Sequence, residues 1–344
     1  MAASLTFAIP VPAAAWEDVP QPENRAQVVE GVEIPQDTQA QDAPAEGTDA
    51  RQGSADEGAD GSPSAPSERA DMPADPAAEG VDLLQSASSE TVCLDESWEW
   101  ASNSEVHSGE ATLYHAGGSP DAPGRRNITV CVNAGHGTAS GSDYQTLSHP
   151  DGTAKVTGGT NAEGAVYSTA ISSGMAFTDG TPEASATLMT AMALKDKLLQ
   201  DGYDVLMIRE SDDVQLDNIA RTVIANNCAD IHVAIHFDST QSDKGVYFCS
   251  VPDIASYRQM EPVASHWPEH MALGQALIQG LSANGFWLFG DGTLPMDLTQ
   301  TSYSTIPSVD IEIGDAASDH SPEACERYAQ GLKDGIDLYF ESGG

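Results

Sequence analysis

Basic residues are scarce in this chain: 14 lysines and arginines stand against 53 aspartates and glutamates among 344 residues, a formal net charge of −39 with histidine neutral. That scarcity excludes nucleic acid as a partner, because phosphate binding needs clustered Lys and Arg and no such cluster occurs. The acidity is spread over the whole molecule, with 24 acidic against 5 basic residues up to Arg126 and 29 against 9 beyond it. Its plain reading is a solvated, soluble surface. Cysteine is sparse too. Cys93, Cys131, Cys228, Cys249 and Cys325 are too few and too scattered for a disulfide framework or a CxxC metal site, although one pair could be bridged. Cys131 and Cys249 fall in expected strands, where a thiol acts as a small buried hydrophobe. No segment is long and apolar enough to be read as a stable membrane span. The common zinc-protease pairings HExxH and HxxE are missing around both His136 and His236.

The first 15 residues, MAASLTFAIPVPAAA, form an apolar run ending in three alanines, which suits a small-residue cleavage site, yet no Lys or Arg precedes it. The run reads as a truncated signal peptide, with an unremarkable apolar end as the alternative, and the first reading implies a secreted protein. Residues 16–95 are dominated by Ala, Pro, Glu, Asp, Gly, Ser and Gln. Such a composition cannot bury enough apolar surface to offset its chain entropy, so an acidic disordered linker is expected there. Residues 96–126 regain Trp98, Trp100 and Tyr114 without a clear period and read as a poorly defined extension, either loosely ordered or packed on the domain. The compact unit is expected over 127–342.

Within that unit, strand and helix signals alternate. The run Ile128 to Val132 has strand propensity and leads into the small-residue turn Asn133-Ala134-Gly135, which ends on His136. A long Gly, Ser and Thr-rich stretch, Thr138 to Gly180, shows no sustained period. Thr181-Pro182-Glu183 then opens a helix, with Thr181 as the cap, Pro182 at the first position and an acid in the first turn. That helix carries an apolar stripe and stops at Gly202. A strand from Asp204 to Arg209 follows, then a helix with Leu216, Ile219, Val223 and Ile224 inward, the strands IHVAIH and GVYFCS, a helix near Met271 to Ala283, the strand VDIEI, and a last helix capped by Ser321. Strands separated by helices imply an α/β fold with a largely parallel sheet covered by helices on both faces.

His236 ends its strand much as His136 follows the first one, so two imidazoles can meet at one sheet edge, the edge where ligands sit in open α/β folds. His232 lies on the same strand, roughly 13 Å away in extended chain, and cannot join them. Glu183, at the start of a helix, is accounted for by the helix dipole alone, but if it converges with the two histidines the three form the ligand set of a catalytic zinc site with an open fourth position, a convergence that sequence spacing alone does not establish.

The ordered motifs GHG, an acid opening a helix, D-x6-A-R-x3-A-N from Asp213 to Asn226, ADIHVAIH, and PSVDIEIG from Pro307 to Gly314 resemble the zinc-dependent N-acetylmuramoyl-L-alanine amidases of the family-3 catalytic domain. The resemblance covers about 127–341. It implies that His136, Glu183 and His236 hold Zn2+, that Glu312 moves the proton, and that the substrate is peptidoglycan, cut between the lactyl group of muramic acid and L-alanine. It also implies that family's twisted mixed sheet flanked by helices, and a site of action at the cell wall. Asp310 shares a strand face with Glu312, so residue pattern alone leaves the two acids as alternatives. Two departures bear on substrate fit: Asn133-Ala134 stands where the family commonly has Asp-Pro, and Asp315 to Ser318 replace an aromatic and a Ser-Asn. A different zinc hydrolase and a non-catalytic wall-binding module are the rival readings. The 138–180 insertion has both ends beside the proposed metal site and is expected to shape substrate access, with His149 as an alternative occupant of the open metal position.

Overall fold

The computed structural model describes residues 83, 84 and 87–344. The expected signal peptide at 1–15 and nearly all of the expected linker at 16–95 lie outside the described residues.

Among the described residues, ten strands and six α-helices follow one another as β1 (Ser88–Val92), β2 (Ala111–His115), β3 (Thr129–Ala134), β4 (Gln145–Leu147), β5 (Tyr167–Thr169), α1 (Glu183–Gln200), β6 (Asp204–Met207), α2 (Asn218–Cys228), β7 (Ile231–Asp238), β8 (Val246–Ser250), α3 (Ala255–Arg258), α4 (Val263–Ala283), β9 (Leu288–Pro295), α5 (Thr299–Tyr303), β10 (Ser308–Asp315) and α6 (Pro322–Glu341). Eight strands form one sheet in the order β1-β2-β6-β3-β7-β10-β8-β9. Its centre, β6-β3-β7-β10, is parallel, while β1, β2 and β8 join antiparallel. The expected mixed α/β architecture is the one observed.

Both faces of the central strands are buried, which is why these strands read as nearly continuous apolar runs rather than alternating ones. Val130 and Val132 of β3 point into a large core with Leu194 and Leu198 of α1, Leu273 and Leu277 of α4, and Leu332 and Ile336 of α6. Cys131, between them, points the other way, to Leu206, Ala220 and Ile224 under α2. Cys131 and Cys249 are buried as expected, and all five cysteines are free thiols.

Some expectations need correction. The compact unit starts before Asn127: β1 and β2 extend the main sheet, and Trp98 and Trp100 of the supposed extension pack around Ala101, Ile219 and Tyr303. No hydrophobic period announced this, because β1 is the outermost strand and it and its neighbour β2 carry mostly exposed or half-buried residues. The helix expected near Met271 begins at Val263 and runs through Pro268. Thr181 does not cap α1. Pro182 occupies the cap position without a side-chain bond, and Glu183 is the first helical residue. Asp217 caps α2 by accepting from the Ala220 N–H, and Ser321 caps α6 with Pro322 at its start, as expected. The Thr138–Gly180 stretch carries structure of its own, since β4 and β5 pair as a small antiparallel ribbon. Among the described residues no helix is long and apolar enough to cross a membrane.

Candidate functional site

The carboxyl ends of β3, β7 and β10 lie side by side, and the expected site residues gather there. Ala134 is in register with Ile235, and His236 with Glu312, so the ends of three parallel strands deliver His136, His236, Asp310 and Glu312 to one edge. The amino end of α1 meets the same edge and brings Glu183. His136 Nε2 is 2.9 Å from Glu183 Oε1 and 3.0 Å from His236 Nδ1, and His236 Nδ1 is 3.2 Å from the same Glu183 oxygen. All three expected ligands therefore converge. The edge opens into a cavity of about 470 Å³.

The Gly-His-Gly sequence is required by this geometry. A Cβ at Gly135 would lie 2.3 Å from the His236 ring, and Gly137 adopts φ +72° against the Arg209 guanidinium. His136 itself sits at φ +62°, a left-handed conformation that a bulky side chain adopts only when its surroundings hold it. Two buried arginines do the holding. Arg209 donates to the carbonyls of Ala134, Gly135 and Ala184, tying the loop to the first turn of α1. Arg221 donates to the carbonyls of Ala134, His136 and Leu216, to Asn133 Oδ1 and to Thr138 Oγ1. Burial pulls these guanidiniums down, Arg209 to about 10 and Arg221 to about 9, and both stay charged at neutral pH.

The donor set fits a zinc ion. His136 Nδ1 donates to the Ser172 carbonyl at 2.8 Å, so its Nε2 is the atom presented to the site. Such a bond fixes the ring of a metal-binding histidine. With Nδ1 turned outward, Nε2 faces Glu183 Oε1 and His236 Nδ1, and a cation resolves the crowding of ligand atoms at this point. Two imidazole nitrogens and one carboxylate oxygen form a common catalytic zinc set, whose tetrahedral edges with bonds of about 2.0–2.1 Å measure about 3.3 Å, close to the separations here.

Electrostatics favours positive charge at this edge. Burial opposes ionisation of Glu183, but bonds from His136 and His236, together with the Met175 and Phe237 amides at 2.9 Å, hold its carboxyl well below the usual range. Burial likewise opposes the His236 imidazolium, and the charges of Asp310 and Glu183 outweigh it, raising that ring to about 10. The two acids of β10 then divide. Asp310 Oδ2 stands 3.5 Å from His236 Nε2, behind the ring, and Asp310 Oδ1 lies 3.9 Å from Cys249 Sγ. Glu312 Oε2 is buried and finds no hydrogen-bond partner among the described residues. Burial pushes the Glu312 carboxyl well above its ordinary range, and Asp310 beside it adds to the shift.

His232 stays out of the cluster, as expected. Its Nε2 accepts from Asn133 Nδ2 at 3.2 Å and its Nδ1 donates to Ser308 Oγ at 3.3 Å, while Asn133 Oδ1 accepts from Arg221. Burial and the Arg221 charge lower His232 to about 3, so this chain of bonds from β10 through β7 and β3 to α2 is neutral apart from its guanidinium. His149 is not at the metal position. Its Nε2 is bonded to Asp297 Oδ2 at 3.1 Å and its Nδ1 to Thr153 Oγ1. Residue patterning gave no role to Arg209 and left Arg221 as one letter of a motif; the signal available was a lone arginine at the end of an apolar strand.

Comparison with known proteins bears on the family and the fold. The model of the N-acetylmuramoyl-L-alanine amidase family matches residues 130–336, more than half of the chain. The fold is similar to that of the N-acetylmuramyl-L-alanine amidase Ami1 from Mycobacterium smegmatis, at 22% identity and a TM-score of 0.52 over 62% of this chain and 97% of that one. It is similar as well to the apo form of Ami1 from Mycobacterium abscessus, at 22% identity and a TM-score of 0.50 over 63% and 99%. No curated protein sequence matches the chain.

Proposed function

The chain belongs to the N-acetylmuramoyl-L-alanine amidase family of cell-wall hydrolases, and we propose that it cuts the muramoyl-L-alanine bond of peptidoglycan with a zinc ion held by His136, Glu183 and His236. Family membership favours the amidase over the rival zinc-hydrolase and wall-binding readings. The single observation that carries the metal assignment is the convergence of three ligand atoms within 3.2 Å of one another. When bound, zinc supplies the charge that polarises the scissile carbonyl and lowers the pKa of water toward about 7.

The chain's own residues do the rest. Glu312, with a buried oxygen that has no partner among the described residues and a carboxyl that burial pushes well above its ordinary range, takes the proton of the attacking water and passes it to the departing amine. Asp310 acts through His236, orienting the ring from its far nitrogen as carboxylates do for metal-binding histidines. Arg209 and Arg221 fix the His136 loop. The catalytic domain is 127–342 with β1 and β2 as additions to its sheet, and residues 1–15 act as the export sequence that places the enzyme at the wall.

Zinc content, together with mass spectrometry of digested sacculi, tests this reading. The parent protein is expected to hold one zinc and to release peptides that begin with L-alanine. His236→Ala is expected to lose most of the metal and all measurable hydrolysis while keeping its far-ultraviolet circular dichroism. Stoichiometric zinc in that variant overturns the ligand assignment.

A further inference from the structure

The wall of the cavity nearest β8 continues outward as aromatic surface. Tyr247 lines the cavity and stands directly opposite Glu312 in the β8–β10 register. Its ring lies 5.5 Å from that of Phe289, and the Lys244 ammonium sits over both rings, 4.6 Å from the first and 4.8 Å from the second. Lys244 is also paired with Asp238, another cavity-lining residue, so the cluster is anchored to the rim. Beyond Phe289 comes Trp287. A Cβ at Gly245 would lie 2.3 Å from the Trp287 indole, so the indole rests on bare backbone at the turn before β8.

These rings occupy the outer edge of the sheet. Leu288 turns to the core, and its neighbours Trp287 and Phe289, on the opposite side, are 60% and 36% exposed. Two large adjacent rings joined to the wall of a catalytic cavity mark a binding surface rather than scattered surface apolarity.

We propose that Trp287 and Phe289 form a stacking platform for the glycan strand of peptidoglycan, holding sugars next to the muramic acid whose amide is cut. The proposal rests on the amidase reading above and adds a polymer subsite to it. The C–H faces of pyranose rings pack on aromatic faces, and the glycan backbone, uncharged once its lactyl groups are in amide linkage, suits a protein of net charge −39 better than an anionic partner does. Continuity with the cavity favours the substrate over an unrelated protein. Lys244 and Gly245 position the rings; neither touches the reacting bond.

The test uses the full chain and its Trp287→Ala/Phe289→Ala double variant on two substrates: uncross-linked glycan strands bearing stem peptides, and N-acetylmuramoyl-L-alanyl-D-isoglutamine, which has a single sugar. The platform predicts that KM for the strands rises about tenfold in the variant with kcat unchanged, a size that stacking on aromatic faces supports. Kinetics on the single-sugar substrate should not move, and Trp287→Tyr should restore strand KM. Uncharged oligomers of N-acetylglucosamine should quench parent tryptophan fluorescence and leave the double variant unaffected, a readout that needs no catalysis. Equal strand KM in parent and variant overturns the platform, as does a variant that alters only self-association in sedimentation. A parent that binds the N-acetylglucosamine oligomers but cleaves neither substrate would refute the amidase reading and spare the platform.

Discussion

Two buried carboxylates in this molecule have similar surroundings and different tasks. Glu183 and Asp297 each face a histidine in a nearly dry site, with side chains 3% and 0% exposed, and in each case burial is outweighed by donors that hold the carboxyl well below its usual range. Asp297 is closed. His149 and the Val156 amide bind one oxygen, and Lys155 at 2.9 Å and Thr157 bind the other, so every lone pair has a donor. Glu183 instead shares its oxygen with two imidazole nitrogens that point at one another, and nearby Glu312 keeps an oxygen without a partner. The difference shows that burial and charge do not by themselves mark a reactive site. An excess of acceptors converging on one point does, because only a cation or a substrate can satisfy them.

The sharpest way to break this comparison lies on the open side. Glu312→Gln is expected to keep zinc and lose about 10² to 10⁴-fold in kcat, the usual range for a general base. Asp310→Asn is expected to weaken zinc binding about 10 to 100-fold with turnover largely retained at saturating zinc, as for other carboxylates behind a ligating histidine. Full activity of the Gln variant, with an inactive Asn variant, would exchange the two roles.

On the closed side the effect should appear in stability and leave zinc content alone. Asp297→Asn strands Lys155 and loosens the 138–180 segment, at a cost of about 3 to 5 kcal/mol, as expected when one partner of a buried ion pair is removed. Urea unfolding measures the cost, and hydrogen exchange should rise between residues 145 and 169. Zinc loss of similar size would show that the two clusters are coupled.

A smaller effect sharpens the contrast with histidines that have no acid beside them. Burial lowers His232 and His270 to about 3, so both are neutral in the folded protein and titrate near 6.5 when unfolded. The unfolded state binds the extra protons. The neutral state's advantage is therefore complete above pH 6.5 and is lost as pH falls toward 3. Between pH 6 and 4.5 stability should drop by roughly 2 to 3 kcal/mol per pH unit, and His270→Gln should halve that slope in urea titrations. An unchanged slope would mean that His270 is charged in the fold.

Legibility in the sequence followed burial. β3, β7 and β10 are buried on both faces and announced themselves as apolar runs, and α1, α2 and α6 as stripes or capped starts. β1 and β2 carried no such signal because the outermost strand and its neighbour bury little. β4 and β5 were hidden because a three-residue pair inside a Gly and Ser-rich stretch has no period to detect. That His136, Glu183, His236 and Glu312 would meet at one edge was legible from motif order, whereas a choice between Asp310 and Glu312 was not, since both lie on the same face of one strand.

Residue types and their order determined the α/β class, the identity of the strand ends, the family, and the residues able to hold a metal, because hydrophobic period and ligand chemistry are local properties. Tertiary structure decided the rest. It set which oxygen of β10 is left free, which nitrogen of His136 turns inward, and how two buried arginines hold a strained loop. It also tied His149 to Asp297 rather than to the metal position. Each of these depends on atoms dozens of residues apart meeting within hydrogen-bond distance, and sequence spacing does not encode such meetings.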